Sequence, residues 1–116
     1  MRTFILILIS SAIWIGAAAA AAAEEGQKIN VTMTEYHFNM PATAKAGKTT
    51  FVVKNAGQKE HAFKIKGEGM EQRLSPDPKP GQTGTLQVDL KPGTYEITCP
   101  LPFHTMHGMK TTLTVK

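Results

Sequence analysis

From Ile29 onward, apolar and polar residues alternate in short runs, without the three-to-four spacing of a helix. Ile29, Val31 and Met33 alternate with Asn30, Thr32 and Thr34, the pattern of a strand with one face buried. Thr49 to Lys54 is rich in β-branched residues and stops at the turn sequence Asn55-Ala56-Gly57. His61, Phe63 and Ile65 alternate with Ala62, Lys64 and Lys66, and Leu86, Val88 and Leu90 alternate with Gln87 and Asp89. After Lys91-Pro92-Gly93, Tyr95, Ile97 and Cys99 share one face; Met109, Thr111, Leu113 and Val115 share one in the last run. Pro41 and Gly47 bracket a further turn. Gly67 to Gly84 is rich in Gly and Pro and reads as a long loop, with Glu71 to Leu74 forming one helical turn. Six to eight short strands separated by turn signals predict an all-β, Greek-key β-sandwich.

The N-terminal residues break this pattern. Met1-Arg2-Thr3 is a short basic start, and Phe4 to Ala23 carries no charge and ends in an alanine tract with Ala21-x-Ala23 before Glu24-Glu25. These are the parts of a secretory signal peptide covering residues 1–23, which leaves residues 24–116 as the working domain. The same run is just long enough for an uncleaved membrane anchor, and that alternative stays open. Either way the domain is placed outside the cytoplasm, in the periplasm or secreted.

A chain of 116 residues holds one compact core and excludes a multidomain enzyme or a repeat array. Lys and Arg exceed Asp and Glu for a formal +4. That excess is too small and too scattered for a nucleic-acid surface. There are four His, six Met and one Cys. Outside the cytoplasm cysteines normally pair, so the single Cys99 is an intermolecular bridge, an inert buried thiol or a metal ligand.

The chemistry concentrates in Cys99-Pro100-Leu101-Pro102-Phe103-His104-Thr105-Met106-His107-Gly108-Met109. Cys99-x4-His104-x4-Met109 puts a thiol, an imidazole and a thioether in one loop between two strands. His61 opens an earlier strand. One thiolate, two imidazoles and a weak thioether are the ligands of a type 1 copper site. Soft sulfur holds Cu(I), imidazole suits both oxidation states, and a compromise geometry moves little when the charge changes. His107 competes with His104, and Met106 with Met109, on chemistry alone. His37, Met33, Met40 and Met70 read as surface or packing residues. No acid/base carboxylate pair, phosphate-binding loop or nucleophile triad is present.

Asn55-x-Gly57-x-x-x-His61 followed by Tyr95-x-Ile97-x-Cys99-Pro100-x4-His104-x4-Met109 resembles the cupredoxins, the plastocyanin and azurin kind of small blue copper protein. The resemblance runs from about Ile29 to Val115, and the ligand loop is most similar to the rusticyanin and sulfocyanin type. It implies one mononuclear copper bound by His61, Cys99 and His104 with Met109 axial, and one-electron transfer without substrate turnover. The implied partners are larger redox proteins such as cytochromes or an oxidase. They would dock on a small apolar patch around Pro102, Phe103 and His104. Lys45, Lys48, Lys54, Lys59, Lys64 and Lys66 would steer an acidic one. A monomer is expected. The rival from another class is a copper carrier or chaperone, or a copper-sequestering protein, to which Met106 and His107 would lend extra donors.

The sequence departs from the family at Ala62. Many cupredoxins carry Asn, Ser or Thr after the first His, tying the two ligand segments together. Here only the Ala62 amide, and that of Leu101, remain to reach the Cys99 sulfur.

Overall fold

The computed structural model describes residues 26–102 and 107–116, and there the alternating runs become nine strands in two sheets. The strands are β1 (Gln27–Thr34), β2 (His37–Asn39), β3 (Thr43–Ala44), β4 (Gly47–Asn55), β5 (Lys64–Gly67), β6 (Met70–Arg73), β7 (Thr83–Leu90), β8 (Gly93–Thr98) and β9 (Lys110–Val115). One sheet has the order β2-β1-β4-β7 and the other β3-β9-β8-β5-β6. β1–β2, β5–β6 and β8–β9 are antiparallel neighbours within one sheet, and the other sequence-adjacent strands lie in different sheets. β1–β4 and β3–β9 pair in parallel while the other pairs are antiparallel. This is the expected β-sandwich, with short extra strands that take the count above eight.

The inward residues are those the alternation marks, except that His61, Ala62 and Phe63 are all buried ahead of β5, which begins at Lys64, so His61 does not open a strand as expected. Ile29, Val31, Met33, Phe51, Val53, Val88 and Leu90 close the first sheet; Ile65, Tyr95, Ile97, Leu113 and Val115 close the second. Phe63 joins them, its ring centroid 5.2 Å from Phe51 and 6.1 Å from Phe38. Aromatic pairs at such separations contribute beyond the area they bury. At the other end, the Tyr95 hydroxyl accepts from the Lys91 amide and donates to the Lys91 carbonyl, both at 2.9 Å. It thereby pins the turn that joins β7 to β8.

One segment corrects the sequence reading. Glu71 to Leu74 is not a helical turn within a long loop: Met70–Arg73 is an edge strand, antiparallel to β5 with Gly67 opposite Met70. Its residues are exposed or half-buried, so no apolar alternation marks it. The turn that makes it is Glu68-Gly69, with φ of 48° and 74°. Positive φ at both central residues is what a two-residue hairpin turn of this hand requires. The remaining loop begins at Leu74, whose amide donates to the Phe63 carbonyl at 3.0 Å. Its side chain fills the space over Gly84, where a Cβ would lie 3.0 Å from Leu74 Cδ2.

Candidate metal centre

The β8–β9 ladder ends at Thr98 opposite Lys110. One step further the Cys99 amide donates to the Met109 carbonyl at 3.2 Å, so these two residues face each other across the strand pair. On the other side of β8 the ladder with β5 ends at Lys64 opposite Thr98. Pro100 has no amide with which to continue it, and the strands part. There the Ala62 amide donates to Cys99 Sγ at 3.3 Å. His61 immediately precedes that amide. His61, Cys99 and Met109 are all 0% exposed, which places three expected donors at one dry end of the second sheet.

The Asn-x-Gly turn before His61 has a structural explanation. The buried Asn55 donates from Nδ2 to the Lys59 carbonyl at 2.8 Å and the Pro78 carbonyl at 2.9 Å, and its Oδ1 accepts from the Gly57 amide at 2.9 Å. A buried amide satisfied in this way holds the loop in one shape. Gly57 matters for space: a Cβ there would collide with Glu35 Oε1 and come within 3.0 Å of His61 Nε2. Gly57→Ala is expected to destabilise the metal-free protein by about 1–3 kcal/mol in urea unfolding, the usual cost of overfilling a packed site. In an E35A background the same change should cost much less, because the group it strikes is gone. Equal costs in both backgrounds would place the strain elsewhere.

Glu35 is the residue that sequence reasoning missed. It and Tyr36 form the two-residue turn between β1 and β2, where Thr34 pairs with His37. Glu35 Oε1 lies 2.9 Å from His61 Nε2 and accepts the Gln58 and Lys59 amides at 2.9 Å each. The Lys59 amide, the His61 ring and the Gln58 amide together hold the carboxyl down at about 2. It is ionised at any physiological pH and can only accept, so the hydrogen between it and the ring belongs to His61 Nε2. Tyr36 meets His61 edge-on with centroids 6.5 Å apart and stacks on His107 at 4.4 Å. Lys59 Nζ donates to the Tyr36 hydroxyl at 3.1 Å. No sequence signal marks Glu35: the parallel β1–β4 register, with Met33 opposite Asn55, brings it to Gly57 two residues further on.

His104 and the competing Met106 lie outside the described residues, as do Phe103 of the expected docking patch and the expected signal peptide. Among the described residues no three His, Cys, Asp or Glu side chains come together to hold a metal. His107 is exposed beside Tyr36, and His37 is exposed on β2. A buried thiol backed by an amide, a buried imidazole whose Nε2 is already committed, and a buried thioether are donors that suit copper. His61 would bind through the remaining ring nitrogen, Nδ1.

The chain belongs to the cupredoxin-like domain family, whose model matches residues 5–115. Among curated proteins it is 33% identical over 85 residues to the iron uptake system component EfeO of Yersinia pestis, an alignment that covers 72% of this chain and 23% of that one. The chain thus spans under a quarter of the length of this relative. Among solved structures it superposes on dithionite-reduced auracyanin from Roseiflexus castenholzii with a TM-score of 0.62 and 19% identity, covering 77% of this chain and 96% of that one. It superposes on auracyanin A, a "blue" copper protein from Chloroflexus aurantiacus, with a TM-score of 0.62 and 19% identity, covering 78% of this chain and all of that one. At such identities the superpositions establish the shared fold.

Proposed function

We propose that this protein is an exported type 1 copper protein that carries single electrons between larger redox partners. His61, Cys99 and His104 would hold the metal with Met109 axial, and the first 23 residues would direct export to the periplasm or beyond. The observation that carries the reading is the Cys99 sulfur, fully buried opposite Met109 and accepting the Ala62 amide. Copper, when bound, supplies a one-electron couple.

The protein's own part is to keep the donors where they are. Two hydrogen-bonded strands carry Cys99 and Met109, and the Asn55 turn fixes the approach to His61. The amide on the Cys99 sulfur draws charge from it and so favours the reduced state. Buried donors offer no entry for a substrate, which argues for transfer over turnover. A cytochrome or oxidase would dock on the patch expected from Pro102, Phe103 and His104.

The test is a titration of residues 24–116 with Cu(II), followed by visible absorption and electron paramagnetic resonance. An intense sulfur-to-copper band at one copper per chain, bleached by a mild reductant and restored on oxidation, is the expected result. Copper held only weakly, in a tetragonal nitrogen and oxygen site without that band, would refute electron transfer. The EfeO relative, an iron uptake system component by name, favours a second reading, in which the domain delivers or sequesters copper. In that case bound copper would pass readily to an acceptor chelator and would not cycle in place.

A further inference from the structure

We infer that Glu35 is the positioning residue of the centre: its carboxylate fixes the ring of His61 through Nε2 and holds the reduction potential down. The inference rests on the copper reading for its redox half and on geometry alone for the rest. Three donors converge on Glu35 Oε1: the Gln58 amide, the Lys59 amide and the His61 ring, each at 2.9 Å. The two amides lie in the loop between Gly57 and His61, so one oxygen anchors both the loop and the ring it delivers. Gly57 is the space that lets the carboxylate in. The His61 side chain is fully buried, whereas that of Glu35 is 30% exposed. The carboxylate therefore meets the ring from the rim, with part of its own surface in water.

The chemical consequences follow from the pairing. A histidine whose Nε2–H points at a carboxylate carries its lone pair on Nδ1 and is a more basic ligand through it. A negative charge one hydrogen bond from a ligand also favours the more highly charged metal ion. Both effects stabilise Cu(II) over Cu(I) and oppose the pull of the Ala62 amide on the sulfur. The centre is thus tuned from two sides by groups that do not bind the metal: one amide raising the potential at Cys99, one carboxylate lowering it at His61.

Two variants separate these roles. Glu35→Gln keeps the size and an acceptor oxygen but removes the charge. It should still take up copper, with the ratio of Cu(II) to Cu(I) affinity reduced about tenfold, which is a rise in potential of about 59 mV for one electron. Glu35→Ala removes the acceptor as well. In the metal-free protein, nitrogen-15 NMR of the His61 ring should show the Nε2–H tautomer in the wild type and a mixture of both tautomers in E35A. A potential in E35Q equal to that of the wild type overturns the charge effect, and an unchanged tautomer in E35A overturns the positioning. A wild-type chain that never turns blue but keeps the Nε2–H tautomer refutes the copper reading and upholds Glu35 as the anchor of His61.

Discussion

Cys99→Ala should yield a folded chain that no longer turns blue with Cu(II). The colour of a type 1 centre comes from charge transfer between thiolate and copper, and Cys99 is the chain's one cysteine. No other sulfur in the sequence can become a thiolate, so the loss should be total. The same substitution has a second effect that needs no metal. The Ala62 amide donates to Cys99 Sγ in the dry end of the sandwich, and removal of that acceptor leaves a buried N–H unsatisfied. The expected cost is about 1–3 kcal/mol in urea unfolding of the metal-free protein. Cys99→Ser supplies an oxygen in place of the sulfur and should recover part of that stability while staying colourless. A C99A protein that keeps the intense band would end the assignment of Cys99 as the ligand.

Phe63→Ala should produce the largest loss of stability. Phe63 lies two residues beyond His61, is fully buried, and packs on Phe51 and Phe38 from the opposite sheet. Truncating such a ring costs about 3–5 kcal/mol, against about 5–15 kcal/mol for a whole domain. For a domain of this size that is a fall in Tm of at least about 12 °C. Phe63→Leu fills most of the same space and should lose far less. Calorimetry of the metal-free variants reads both values; a fall of only a few degrees in F63A would mean the two sheets are held together elsewhere.

The main strands were legible because each buries one face, and burial of alternate residues writes itself into the sequence. Ile29-Val31-Met33 and Tyr95-Ile97-Cys99 are of this kind. Edge strand β6 was not legible: Met70–Arg73 is held by backbone bonds to β5 and presents little apolar side chain to the core. The candidate donors stand out at the level of residue type, since Cys, His and Met at set spacings carry their chemistry openly. His61, Cys99 and Met109 are buried at one end of the second sheet, while His104 falls outside the described residues. Glu35 could not be found the same way. Its carboxylate is ordinary in the sequence and acquires a role only when β1 runs parallel to β4 and carries it to Gly57, a pairing between segments more than twenty residues apart. Alternation reports what a strand buries; it is silent on which strand lies beside it.

The position of β9 gives the centre a place in time as well as in space. β9 is hydrogen-bonded between β8 and the short β3, and Met109 stands at its threshold opposite Cys99. The β5–β8 pairing brings the His61 segment to Cys99, whereas Met109 is brought there by the separate pairing of β9 with β8. Metal affinity that depends on a completed fold is itself folding free energy. In refolding with copper, the reduction potential would therefore settle only once Met109 is in place, and it would report the closing of the sandwich at that seam.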